Sequence, residues 1–410
     1  MNLLSKFPDA QELITRAQKN ANLNDIPEVN GHIHTPYSFS AFNNIKEIFS
    51  QAKQEKIAVA GINDFYVTDG YTEFYDLSVQ NKIFPIFGIE FIGLLKEEQE
   101  KGIRINDPNN PGRIYFCGKA LSYPSVLPAH LQKIMSDLKS ESLRQVKLMT
   151  DKVNEILREE NLEFRISFEL IKINYAKDLV RERHVAKAIR IGIFECYLSE
   201  SERKEALKKL YGGKETAVKI SNEAALEIEI RNNLLKAGGR AFVEEDPKAF
   251  LNIEQIKEII IAAGGIPCYP VLLDDKSGNF TDYEKNWEQL KNELVQKDVY
   301  CVELIPGRNQ LEILREFVQY FEKQGFIVTL GTEHNTPERI PLMVDTRGSI
   351  PIDEYLKRIS YEGCCVYAAH QYLLAQGAEG YLDKNGKAKT DKKAEMIQLG
   401  NAVIAYFRAQ

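Results

Sequence analysis

Ile57-Ala58-Val59-Ala60-Gly61-Ile62-Asn63-Asp64 is the stretch on which the fold turns. A strand that meets water on one face alternates apolar and polar residues, whereas this run is continuously apolar or small. It therefore reads as a parallel strand covered on both faces, with Asp64 at its carboxyl end. Upstream, Val29-Asn30-Gly31-His32-Ile33-His34-Thr35 reads as a second strand end. A helix capped by Asn43 or Asn44 and running to about Glu55 separates the two. Downstream, a helix over about Thr72 to Val79 leads into Ile83-Phe84-Pro85-Ile86-Phe87-Gly88-Ile89-Glu90-Phe91, again apolar and again carrying a carboxylate. These strand–helix alternations put His32 and His34, Asp64 and Glu90 at strand ends, where α/β barrels and doubly wound sheets build their sites. One intervening residue sends His32 and His34 to the same side of a strand. Such a pair is half of a metal site or a hydrogen-bonded structural pair.

The rhythm changes between Leu95 and about Tyr175. A charged run (Lys96 to Lys101), a turn (Asp107 to Gly112) and one strand (Ile114 to Cys117) precede a long helical stretch, about Ser125 to Glu160. Leu131, Ile134, Leu138, Val146, Val153, Ile156 and Leu157 recur there at helical spacing. We expect an insertion over about 95–180, either a plain helical layer on the core domain or a cover for its mouth. Another amphipathic helix opens at Arg181-Glu182-Arg183-His184. A helix from Ile253 closes on Gly264-Gly265 and gives way to the strand Ile266 to Leu272. A helix (Tyr283 to Val295), the strand Val299 to Ile305, a helix (Gln310 to Lys323) and the strand Phe326 to Leu330 follow, ending in Gly331-Thr332-Glu333-His334-Asn335. A helical lead-in (Asp9 to Lys19) with a loop through Asp25 and Pro27 precedes all this. A helical tail from Asp353, including Cys364 to Ala375 and Lys393 to Phe407, closes it. The expected division is a barrel over 1–350, carrying the insertion, and a helical C-terminal extension over 351–410.

The 410 residues are 44% hydrophobic and 27% charged, enough to bury a large core. A net charge of −6 argues against a general grip on nucleic acid. We expect neither a signal peptide nor a membrane span, since no apolar run approaches about 18 residues. The six cysteines show no CxxC spacing and several lie in apolar runs, the pattern of reduced, buried thiols in a cytoplasmic protein.

Several separate motifs resemble those of the PHP (polymerase and histidinol phosphatase) metallohydrolases. His32-Ile33-His34-Thr35 with Ser38 behind it is similar to the family's opening HxHT…S motif, and Gly61-Ile62-Asn63-Asp64-Phe65 to its second, [IL]-T-D-H. Gly88-Ile89-Glu90 matches G-x-E, and Arg183-His184-Val185-Ala186 resembles R-P-H-[IV]-A. Gly264 to Pro270 lines up in spirit, though not in spacing, with G-G-[IVL]-P-x-x-x-H-P, and Gly331-Thr332-Glu333-His334 resembles the terminal G-S-D-x-H. The motifs run in family order from 29 to 335.

The resemblance implies a distorted (β/α)7 TIM-like barrel with a helical insertion and a helical C-terminal tail. It also implies a site that binds a divalent metal, Zn, Mn or Fe, one or two per chain. A first metal would take His32, His34, Glu90 and Glu333; a second would share Glu90 and use His184. Tyr269 stands where the family has a histidine, Phe65 replaces the histidine of the second motif, and the final histidine position falls on Asn335, so a third site is expected to be lost. His334 lies one residue out of register and substitutes as a ligand only if the strand end is bulged. Asp64 would orient a ligand histidine or act as general base; the alternative is a turn or capping aspartate. Tyr269 would donate to a substrate oxygen, with core filling as its alternative. Arg308 and Arg183, and also Lys119, are candidate phosphate cations. The implied activity is a phosphoesterase acting on a small phosphorylated substrate through a metal-activated water. A binding or scaffold protein with a vestigial site, or an amidohydrolase-like reaction on a non-phosphate substrate, stand as alternatives.

Overall fold

The structure is a computed structural model describing residues 2–19, 26–275 and 277–410; Asp25 of the expected loop lies outside them. Seven strands form one sheet in chain order: β1 (Glu28–Ile33), β2 (Ile57–Phe65), β3 (Phe84–Leu94), β4 (Arg113–Lys119), β5 (Ile266–Val271), β6 (Cys301–Leu304) and β7 (Ile327–Leu330). The pairings β1–β2, β2–β3, β5–β6 and β6–β7 are parallel, and β4 runs antiparallel to both its neighbours. The sheet curls until its edges meet beyond their strand ends: Ile33 bridges to Glu333, and the His34 N–H donates to the Glu333 carbonyl at 2.7 Å. The product is a nearly closed, mostly parallel barrel.

Every residue of β2 is buried, as its unbroken apolar run requires of a strand with side chains on both faces inside. Outside, helices Ile45–Gln54, Tyr71–Asn81, Ile253–Ala262, Trp287–Gln296 and Leu311–Lys323 lay apolar stripes on the barrel. Asn44 caps the first of these, its side chain accepting from the Glu47 N–H.

The strand inside the expected insertion belongs to the barrel. The residues Arg113–Lys119 bridge β3 and β5, so the helical segment that leaves the sheet lies between β4 and β5, from Ala129 to Leu235. The boundaries at 95 and 180 therefore do not coincide with it. An antiparallel strand among parallel ones carries no helix of its own, and the sequence rhythm hides it. The inserted helices own an apolar cluster that includes Met149, Val153, Leu157, Ile189, Leu207 and Leu226.

Two long helices, Glu354–Ala375 and Lys393–Ala409, cover the opposite flank of the barrel and cross very closely. A Cβ on Gly400 would stand 1.8 Å from the Cys365 carbonyl oxygen, so the crossing admits only glycine there. The same flank receives the start of the chain: Phe7 packs on Tyr406 and Phe407, and the Tyr372 hydroxyl donates to the Pro8 carbonyl. No helix of the described residues is long and apolar enough to cross a membrane.

Candidate metal centre

His32, in β1, and His34, just beyond it, turn their Nε2 atoms toward each other at 3.2 Å. Glu90, from β3, completes the group: its Oε2 lies 3.0 Å from His34 Nε2 and 3.7 Å from His32 Nε2. All three residues are buried, and Glu90 Oε2 receives no hydrogen bond. His32, His34 and Glu90 offer donor atoms within 4.8 Å of one another.

What fixes the rings is on their far side. Glu303, from β6, sets its Oε2 3.1 Å from His32 Nδ1. Ser38 Oγ stands 3.2 Å from His34 Nδ1 and donates to Asp64 Oδ1 at 2.5 Å. Each imidazole is thus held at Nδ1 by a carboxylate, directly or through a hydroxyl, leaving Nε2 to face the cluster. Asp64 also accepts from the Thr35 N–H at 2.8 Å and the Thr35 hydroxyl at 2.5 Å. Its three donors and full burial turn its carboxylate toward Thr35 and Ser38, which stands between it and His34.

The electrostatics follow from burial. Burial pushes the Glu90 carboxyl up to about 8, against the pull of His32. It pulls the His34 imidazole down to about 4, against Asp64. Burial opposes ionisation of Glu303 as well, but Lys119 and then His32 outweigh it and hold that carboxyl well below the usual range.

Glu333 stands beside this group and is ion-paired to Arg308. Burial would raise its carboxyl, but Arg308, His32 and His34 together lower it. Glu333 (φ 62°) and His334 (φ 58°) both occupy the left-handed region, a strained pair of non-glycine residues. That turn sends His334 away from the cluster: its Nδ1 meets Thr332 Oγ1 at 2.7 Å and its Nε2 the Ile340 carbonyl at 2.9 Å. With both ring nitrogens engaged, His334 has no atom free to act as the additional ligand.

Three other expectations are corrected. His184 is buried at the start of helix Glu182–Cys196, where its Nδ1 accepts from the Arg181 N–H at 2.9 Å and its ring meets Phe39 edge-on; it does not join the His32–His34–Glu90 group. The Tyr269 hydroxyl donates to buried Glu284 at 3.0 Å, which ties it to the β5 side of the barrel wall and not to the cluster. Lys119, considered above for phosphate, is fully buried inside the barrel. Phe65, at the position of a family histidine, stacks on His34 with ring centroids 4.9 Å apart.

Asn63, Cys117, Lys119 and Glu303 surround His32; of these only Lys119 was considered from sequence, and as a phosphate cation rather than a neighbour of the histidines. Asn63 Nδ2 lies 3.1 Å from His32 Nε2, and its Oδ1 accepts from Lys119 Nζ at 3.0 Å. Gly88 makes room for it, since a Cβ there would stand 2.4 Å from Asn63 Oδ1. The signal for Glu303 was present: it is the one charge in the apolar run Val299 to Ile305.

Above the cluster opens a cleft of about 1650 Å³ between the barrel mouth and the inserted helices. Glu90, Glu333, Phe65, Arg181, Arg183 and Arg308 are among the residues on its walls. Arg183 lies over the Phe39 ring at 5.7 Å, and burial pulls its guanidinium down to about 9, helped by Arg231.

A family model described as the PHP domain matches residues 30–213. No curated protein matches the chain. Among solved structures, a candidate metal-dependent phosphoesterase from Bifidobacterium adolescentis aligns with a TM-score of 0.52 at 14% identity, over 82% of this chain and 95% of that one. An amidohydrolase from Chromobacterium violaceum, solved with sulfate and without metal, aligns at 0.49 and 13% identity, over 81% and 96%. The motifs and the barrel agree with the match of residues 30–213 to the PHP domain.

Proposed function

We propose that the chain is a metal-dependent hydrolase, a phosphoesterase acting on a small phosphorylated substrate at the barrel mouth. One observation carries the reading. Two imidazole nitrogens 3.2 Å apart converge on a buried carboxylate oxygen that receives no hydrogen bond. Lone pairs and a carboxyl crowded in this way repel unless a proton or a metal cation lies among them, and two imidazoles with a carboxylate are a donor set suited to the metal. His32, His34 and Glu90 would hold a divalent ion, with Glu333 as a fourth ligand once it leaves Arg308. Nitrogen and carboxylate donors suit Zn, Mn or Fe. When bound, such an ion acidifies a water and polarises a phosphoryl oxygen.

The chain's own residues supply the rest. Asp64, through Ser38, and Glu303 hold the Nδ1 side of each histidine, so that both Nε2 atoms face the cluster; the Asn63 amide, 3.1 Å from His32 Nε2, would turn aside for an ion. Arg183 and Arg308, on the cleft wall, would bind the phosphate and set its angle. Phe65, stacked on His34, limits water beside the histidines, and Phe39 lines the cleft near Arg183. The six free cysteines, five of them buried, agree with a reducing, cytoplasmic setting.

The test is turnover of an aryl phosphate with added Mn or Zn, wild type against His32→Ala. Metal-dependent turnover that the variant loses is expected. Equal rates in the two proteins would remove the reading.

A further inference from the structure

Behind the histidine pair lies a second group of metal-type donors, His32, Cys117 and Glu303, also within 4.8 Å of one another and fully buried. A cation already stands against it. Lys119 Nζ is 2.6 Å from Glu303 Oε2 and donates to Asn63 Oδ1 at 3.0 Å and to the Gly31 carbonyl at 3.2 Å. The two hydrogen bonds go to neutral oxygens, and Glu303 meets the ammonium as an ion pair. Glu303 Oε2 is also the atom facing His32 Nδ1, so the nitrogen that a second metal would need is already committed.

Building on the metal reading above, we propose that the Lys119 ammonium is a built-in second cation, which limits this centre to one metal ion. The ion would sit on the Nε2 side of His32, with His34 and Glu90. The Nδ1 side, with Cys117 and Glu303, keeps the ammonium. A second divalent ion entering beside Lys119 would add positive charge to a volume closed to water, with no further carboxylate to meet it. Exchanging the ammonium for a divalent ion is different. Ionising the Cys117 thiol would balance the added charge, and the net charge of the site would not change. Lys119 is in this sense a residue that sets metal number and keeps a thiolate out of the donor set.

Cobalt(II) as the only added ion tests this, since thiolate ligation gives a charge-transfer band in the near ultraviolet. The wild-type protein is expected to take about one equivalent without that band. Lys119→Ala is expected to take about two and to show it, and Lys119→Ala/Glu303→Gln to return to about one without it. Two equivalents or a thiolate band in the wild type would overturn the inference, as would Lys119→Ala remaining at one. If Lys119→Ala does not fold, the wild-type stoichiometry and spectrum decide alone. A wild type that takes no cobalt would overturn the metal reading itself, and this inference with it.

Discussion

Ser38→Ala separates a residue that orients a metal ligand from one that merely fills a buried network. The Ser38 hydroxyl gives its single proton to Asp64, so toward His34 Nδ1 it is an acceptor. That geometry places the ring proton on Nδ1 and leaves the Nε2 lone pair facing Glu90. Alanine removes the link, and Asp64 keeps only its two donors from Thr35. The loss of such a partner behind a ligand histidine lowers metal affinity about 10–100-fold, or about 1.4–2.8 kcal/mol. A buried hydroxyl taken from a hydrogen-bonded pair also costs about 1–2 kcal/mol of stability in the metal-free protein. Thr35→Val is the control. It removes another donor from Asp64 but leaves the path to His34 in place, so it should lose stability and keep its metal affinity within about threefold. Zinc titration calorimetry and urea melts on both variants give the four numbers. If both variants lose stability and neither loses affinity, Ser38 only satisfies Asp64, and the orienting argument fails.

Tyr269→Phe should lower stability by about 1 kcal/mol, because Glu284 keeps only its two backbone donors, and should leave aryl phosphate turnover unchanged. A tenfold fall in kcat would return Tyr269 to the site. Gly400→Ala gains up to about 1 kcal/mol in helix propensity but sets a methyl against the Cys365 carbonyl, and such overpacking costs about 1–3 kcal/mol or more. Calorimetry should show a lower Tm; a rise would mean that the two helices are free to separate. Burial holds His370 down at about 4, with Nε2 donating to the Gly264 carbonyl and Nδ1 accepting from the Tyr381 N–H. The unfolded chain takes up this proton below about pH 6.5 and the folded one only near 4. The contribution is therefore present above 6.5 and lost as pH falls through that window, by roughly 3 kcal/mol in all. Urea melts at about pH 7 and about pH 5 should show a smaller acid loss for His370→Gln than for the wild type; equal losses would remove His370 from the acid response.

The parallel half of the barrel was legible because burial on both faces leaves a mark in the sequence, the unbroken runs of β2 and β3. β4 was not. Its order in the sheet depends on partners far away in sequence, and no helix follows it to complete a repeat. The site divides along a similar line. His32, His34 and Glu90 announce themselves by type and spacing at strand ends. Glu303 and Lys119 are single charges within strands, and only the closure of the barrel shows that they face each other. His334 escaped because its direction depends on two left-handed residues that local sequence does not dictate. Tyr269 was read at the mouth because motif order placed it there, while its partner, Glu284, comes from the following loop.

Phe7, Pro8 and Arg16 pack against Tyr372 and Tyr406, so the first described helix is finished by the last. During synthesis, the apolar backs of β1, β2 and β3, including Val59, Phe84 and Ile86, wait for a cover whose second helix begins only at Lys393. Chains dominated by such distant contacts fold slowly and expose sticky surface meanwhile. A nascent chain stalled before Lys393 should thus be a client for chaperones, however well its histidine pair is already formed.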